Sequence, residues 1–130
     1  MWNIIICDGN EAEREQIIGY IRHYCKKYMR EAEVEVCADW PELMEKLKLA
    51  EPDVLVAAQD GVDGLDTITS AHLPPRKVIW FSDLDFGVQS YRLCLSWFGR
   101  KPVTYQKMEQ ALIRCMAQPP DEEKVIGYGE

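Results

Sequence analysis

Hydrophobic and polar positions along this chain switch repeatedly between a period of two and a helical period. Trp2–Cys7 is a short apolar run with three successive isoleucines, the pattern of a strand buried on both faces. Over residues 11–29 the apolar positions Ile17, Ile18, Ile21, Tyr24, Cys25 and Tyr28 take helical spacing. Acids lead (Glu11, Glu13, Glu15) and bases trail (Lys26, Lys27, Arg30), as the helix dipole favours. Val34, Val36 and Ala38 alternate with polar residues and predict a second strand. Asp39 is placed to cap the next helix, with Pro41 in its first turn and Leu43, Met44 and Leu47 facing inward. Residues 53–58 form another buried strand, followed by a Gly- and Asp-rich loop over residues 59–64. A short helix over about residues 65–71 stops before Pro74-Pro75, and residues 77–81 form the fourth strand. Residues 85–95 read as a helix with Val88, Tyr91 and Leu95 on one side, and residues 96–99 as a short fifth strand. Residues 104–116 close the pattern as a helix capped by Thr104, with Met108, Leu112 and Met116 inward.

Strands that alternate with helices in this way specify an α/β fold, a doubly wound parallel sheet with helices on both faces. The 130 residues suit one domain, placed here at residues 1–118. Pro119-Pro120-Asp121-Glu122-Glu123 opens a tail or linker over residues 119–130, whose last residues read as a frayed end or the first strand of a further module. Net charge is −7, which argues against direct nucleic-acid binding, since phosphate contacts need clustered Lys and Arg. The cluster Arg22, Lys26, Lys27 and Arg30 is followed at once by Glu31, Glu33 and Glu35 and reads as a solvated helix face. No apolar run has the length of a membrane span and no leader pattern is visible, so a cytoplasmic setting is expected. The five cysteines are odd in number, widely spaced and without a CxxC pair, and they read as reduced, mostly buried thiols.

In open parallel sheets, ligands bind at the carboxyl ends of the strands. Those ends carry Asp8-Gly9, Ala58-Gln59, Ser82 and Lys101-Pro102. With these residues the chain resembles, over about residues 3–117, a response-regulator receiver domain. Cys7-Asp8-Gly9-Asn10 with Arg14 is most like the opening of receivers that precede LytTR-type DNA-binding modules. The resemblance implies the flavodoxin-like strand order 2-1-3-4-5 and a cis Lys101-Pro102 bond. It places an acidic pair after the first strand, a phosphoacceptor aspartate after the third, a hydroxyl after the fourth and a lysine after the fifth. The acids would hold Mg²⁺ through oxygen ligands, the phosphoacceptor would become an acyl phosphate, and lysine and hydroxyl would bind the phosphoryl oxygens. Ser82 and Lys101-Pro102 match that pattern, and Phe98 matches the aromatic that carries the signal to the output face.

The departures point one way. Gly9 replaces the second acid and Ala58 replaces the phosphoacceptor, whose methyl group cannot be phosphorylated. A site with Asp8 alone is a weak Mg²⁺ site, so no metal or other cofactor is expected. Lys101 is expected to pair with Asp8 as a structural ion pair, and Ser82 to bond the backbone. Asp60, two residues beyond Ala58, is the substitute acceptor that a differently gapped loop would bring into the pocket. Asp53 begins the strand, some ~16 Å from its far end, and is excluded. Residues 60–64 lack the length and terminal Glu of a calcium loop, and no GxGxxG, GxxxxGK[ST] or GxSxG motif occurs. Cys7 beside Asp8 reads as inert core.

Tyr91, Trp97, Phe98 and Tyr105 lie in the segment where receivers dock partners. Trp97 is expected to be the more exposed of the two strand aromatics, because neighbours on a strand point to opposite faces. The function expected is a pseudo-receiver in transcription-regulatory signalling. It is no enzyme, and it binds a protein partner or a second copy through residues 85–116, with any DNA-binding module lying outside the chain. The alternatives are a phosphoreceiver using Asp60 and an α/β domain binding a small anion at Lys101 and Ser82.

Overall fold

The computed structural model describes residues 1–74, 77–93, 95 and 97–117. The expected tail, Cys94 and Ser96 lie outside the described residues. Five parallel strands, β1 (Trp2–Cys7), β2 (Ala32–Cys37), β3 (Val54–Ala57), β4 (Val78–Ser82) and β5 (Trp97–Arg100), form one sheet in the order β2-β1-β3-β4-β5. They alternate with α1 (Glu11–Tyr28), α2 (Trp40–Leu49), α3 (Gly61–Ala71), α4 (Gly87–Arg92) and α5 (Tyr105–Cys115). Ile4 of β1 stands beside Val34 of β2 and Val54 of β3, so the central strands are apolar on both faces. This is the α/β architecture that the alternating periods predict.

Because strand side chains alternate, the sheet divides its apolar residues between two layers. Ile4, Ile6, Val54, Val56, Ile79 and Phe81 meet Ile17 and Ile21 of α1 and Met108 and Leu112 of α5. On the other face, Ile5 and Leu55 pack with Leu43 of α2, and Ala57 and Trp80 with Ile68 and Phe86 at α3 and α4. The caps are local and legible. Asn10, Asp39 and Thr104 each accept a backbone N–H three residues on, from Glu13, Glu42 and Lys107, at 2.9, 3.1 and 3.2 Å.

Four expectations need correction. Met44 is 40% exposed, because Leu43 and Leu47, one turn apart, take the narrow stripe that α2 buries. α3 starts at Gly61, inside the expected loop. Its two glycines serve the start of the helix: Gly61 takes φ +65°, and Gly64 sits so close to the chain that a Cβ would lie 2.5 Å from the Gln59 carbonyl oxygen. α4 covers only Gly87–Arg92, since Asp85 turns its carboxylate onto the Gly87 N–H and holds the preceding residues out of the helix. β2 ends at Cys37 as an edge strand, with Val36 exposed and Ala38 outside it.

Candidate functional site

The first turn of α1 builds one wall of the site. β1 ends at Cys7, and the next residue, Asp8, donates its N–H to the Cys37 carbonyl (3.0 Å). Its carboxylate is 2% exposed. Oδ1 accepts the Asn10 N–H at 2.9 Å, while Oδ2 is buried without a partner. The Arg14 guanidinium donates to the Asp8 carbonyl at 2.9 Å and ties the helix back to the strand. Asn10, by capping α1, sets Glu13 over the same pocket.

Lys101 enters from the opposite wall, at the end of β5, ahead of a cis bond to Pro102. Its ammonium donates to Glu13 Oε1 at 2.6 Å, to the Ala58 carbonyl at 2.5 Å and to Asp60 Oδ1 at 2.7 Å. The expected ion pair with Asp8 is therefore replaced by pairs with Glu13 and Asp60. Glu13 and Asp60 reach the ammonium from helix starts on either side. Burial pulls the Lys101 ammonium toward losing its proton, but Asp60 and Glu13 outweigh it, and the net shift is upward.

Asp8 is shifted in the opposite sense for an acid. Burial, and then the Glu13 carboxyl against it, raise its pKa to about 7, against the Asn10 N–H, which favours the ionised form.

β4 supplies the third side. Ser82 is fully buried and its hydroxyl accepts the Leu84 N–H at 3.1 Å, the backbone bond expected of it. The following Asp83 accepts the Gly61 N–H at 2.8 Å, which fastens this loop to the start of α3 and pulls the Asp83 carboxyl below its ordinary range. Ala58 is fully buried, with its N–H on the Cys7 carbonyl at 2.9 Å, and it presents only a methyl group. Asp53, at the other end of β3, accepts the Asn3 N–H at 2.8 Å, far from this pocket.

Sequence reasoning missed Glu13 and Asp83. A signal existed for the first, since Asn10 with an acid three residues on is the spacing of a capping box. Asp83 carries no such mark.

A Mg²⁺ ion needs several oxygen ligands in near-octahedral array. Gly9 and Ala58 offer no carboxylate here, and Glu13 and Asp60 are held by Lys101. Among the described residues no three acid, His or Cys side chains are grouped to hold a metal ion, so the residues present do not fit one.

A second feature lies on the edge of the sheet. Tyr91, Arg92, Leu95, Trp97, Phe98 and Arg114 line a concavity of about 770 Å³ between α4, β5 and α5. Tyr91 is 83% exposed. Trp97 and Phe98 are both half-buried and pack into the two opposite layers of the sheet. The Arg114 guanidinium lies 6.0 Å over the Trp97 ring, and Phe98 meets Trp80 edge-on at 5.1 Å. Tyr105 does not join this group. It turns toward α1, 4.3 Å from the His23 ring, with its hydroxyl on Glu109.

Cys7, Cys25 and Cys37 are free thiols; Cys7 and Cys37 are buried, and Cys25 and Cys115 half-buried. Hydrogen bonding to Cys37, with burial, pushes the Cys7 thiol far up. No described helix is long and apolar enough to cross a membrane.

No family model and no curated protein matches the chain. Solved structures do. The signal receiver domain of a DNA-binding response regulator from Colwellia psychrerythraea superposes with a TM-score of 0.71 at 16% identity, covering 91% of this chain and 100% of that one. The receiver domain of sensor histidine kinase PA1611 from Pseudomonas aeruginosa, with magnesium coordinated in its active-site cleft, gives 0.65 at 14% identity, covering 90% and 98%. NtrX from Brucella abortus gives 0.68 at 16%, covering 97% of this chain and 29% of that chain. The fold is thus that of response-regulator receiver domains.

Proposed function

We propose that this chain is a receiver-type signalling module that acts by binding protein, without aspartyl phosphorylation. The observation that carries this reading is Ala58. The position where β3 delivers its side chain to the pocket is buried, intact in backbone pairing, and without a nucleophile. The Lys101 ammonium, which would hold a phosphoryl oxygen in a working receiver, is instead bonded to three oxygens of the chain itself. In this reading the module is no enzyme, needs no cofactor and works in the cytoplasm. Its partner, a protein or a second copy, docks at the face over residues 85–116, where Tyr91 stands beside Trp97 and Phe98. The LytTR-like opening at Cys7–Asn10 with Arg14 supports a transcription-regulatory setting, with any DNA-binding module outside the chain.

A second reading is favoured by one distance. Asp60 Oδ1 lies 2.7 Å from Lys101 Nζ and the carboxylate is 62% exposed, which suits a displaced phosphoacceptor. Acetyl phosphate with Mg²⁺, followed by intact-mass measurement of the chain and of Asp60→Asn, separates the two. The expected result is no adduct on either protein. A hydroxylamine-labile phosphoryl adduct that is missing from Asp60→Asn would replace the first reading by the second.

A further inference from the structure

We infer that Cys7 and Cys37 form a redox site, a dithiol that a peroxide closes to a reversible disulfide across β1 and β2. The two residues end their strands opposite each other in the parallel register. Both lie in the layer under α2, with Ile5, Leu43 and Leu55. Neighbouring strands run about 4.8 Å apart, inside the ~4.4–6.8 Å that separates the Cα atoms of bonded cysteines. The thiols are already in contact, because Cys7 and Cys37 hydrogen-bond through their side chains. Cys37 Sγ also lies 3.6 Å from the carbonyl of Ile6, the residue before Cys7. The pair sits behind the pocket, since Asp8 follows Cys7 and donates its N–H to the Cys37 carbonyl.

Cys37 is the thiol placed to react first. It ends an edge strand, beside exposed Val36, whereas Cys7 ends a strand flanked on both sides. Local opening at an edge costs less than opening the whole fold, and hydrogen peroxide is small enough to use it. The hydrogen bond from Cys7 lowers the Cys37 thiol toward the nucleophilic thiolate, and Cys7, held protonated, is left to resolve the product. In the first step the Cys37 sulfur attacks one peroxide oxygen. An S–O bond forms, the O–O bond breaks, and hydroxide leaves with the Cys37 proton as water. The Cys7 sulfur then attacks the sulfur of that sulfenic acid. The S–S bond forms, the S–O bond breaks, and hydroxide leaves with the Cys7 proton as a second water. The two thiols give up two electrons in all, and the peroxide is reduced to water. Closing the bond draws the two Cβ atoms in from the spacing of the strands, a strain that leaves it open to reduction by a small thiol. None of this uses residues 85–116, so the inference does not depend on the partner-binding reading.

The test is peptide mapping of the folded chain, with circular dichroism to establish folding. The whole chain, Cys7→Ala and Cys25→Ala are treated with hydrogen peroxide, blocked with iodoacetamide in urea and cut with trypsin without reduction. Cys7 and Cys37 fall on separate tryptic peptides, residues 1–14 and 31–46. The expected product joins these two peptides with the loss of two hydrogens, and dithiothreitol separates them again. Cys7→Ala is expected to lose the cross-link and to hold Cys37 as a sulfenic acid that dimedone captures. Cys25→Ala is expected to cross-link as wild type does. Met29, 91% exposed, reports in the same digest that the dose was sufficient. The inference is overturned if Cys7 and Cys37 both stay alkylatable at a dose that oxidises Met29. It is equally overturned if either is found bonded to a different cysteine, or if the cross-link forms only in urea. Should Cys7→Ala not fold, the wild-type map decides alone, because it reads the bond and its two ends.

Discussion

Asp8 is held in a state that its ordinary chemistry disfavours. A free carboxyl loses its proton near pH 4, whereas burial and Glu13 move this one to about 7. Between those values the folded chain keeps the proton and the unfolded chain has lost it, so stability falls as pH rises through that window. Asp8→Asn keeps an oxygen for the Asn10 N–H and removes the ionisation. It is expected to flatten the pH dependence and to raise stability at pH 8 by about 2 kcal/mol. Urea unfolding at several pH values checks this, and a variant that keeps the wild-type slope would assign it elsewhere. Gly9 and Ala58 give a complementary prediction. A Cβ at Gly9 would meet the Ala38 carbonyl at 3.4 Å, an ordinary contact, so an acid can be accommodated there. If the proposed reading holds, Gly9→Asp with Ala58→Asp is expected to be measurably labelled by acetyl phosphate and Mg²⁺ where the unaltered chain is not, with intact mass as the readout. A folded double variant that stays unlabelled would place the defect beyond these two side chains. Much of this site was legible in the sequence, because strand ends have addresses: Asp8, Ala58, Ser82 and Lys101 each follow an apolar run. The partners of Lys101 were not legible, because which acids reach the ammonium depends on where the helix starts place Glu13 and Asp60.

The start of α3 shows the same limit one level up. Gly61 and Gly64 read as loop punctuation, yet they open a helix, because close packing against Gln59 and Trp80 overrides the local signal. The consequence is measurable. Alanine is the better helix former by about 1 kcal/mol, but an added Cβ at residue 64 would sit 2.5 Å from a backbone oxygen and 3.3 Å from Trp80 Nε1. Overpacking of that kind costs about 1–3 kcal/mol, so the steric term is expected to win and Gly64→Ala to destabilise by about 2 kcal/mol. Gly19, in α1, has nothing within 4 Å, and Gly19→Ala is expected to stabilise by about 0.5–1 kcal/mol. Denaturation midpoints that move in the same direction for both variants would contradict this account. The helix α4 follows a related logic. Its apolar pattern was visible, but Val88 and Tyr91 face solvent, since Phe86, Leu93 and Leu95 already meet the core beside it. A hydrophobic stripe marks a face to be covered and does not say what covers it.

At the scale of the whole molecule, that uncovered stripe stands on a chain of net charge −7 yet is bordered by Arg92 and Arg114. An acidic protein that places two arginines beside an exposed tyrosine presents a locally basic face, suited to an acidic partner surface. Stability and association should separate cleanly there. Tyr91 is 83% exposed, so Tyr91→Ala is expected to change unfolding by no more than about 0.5 kcal/mol. If Tyr91 anchors the contact, the same change should weaken association by about 2 kcal/mol, roughly thirtyfold. Trp97 gives no such separation, because its ring also packs against the α1–α5 layer, and Trp97→Ala is expected to lower stability as well. Sedimentation of the chain alone and with a captured partner, over a series of salt concentrations, supplies the second axis. Association at this face should weaken as salt rises, since screening acts on arginines at the rim more than on buried aromatic contact. Association that strengthens with salt, or that Tyr91→Ala leaves intact, would move the docking site off this face and leave the concavity as a plain groove between helix and sheet.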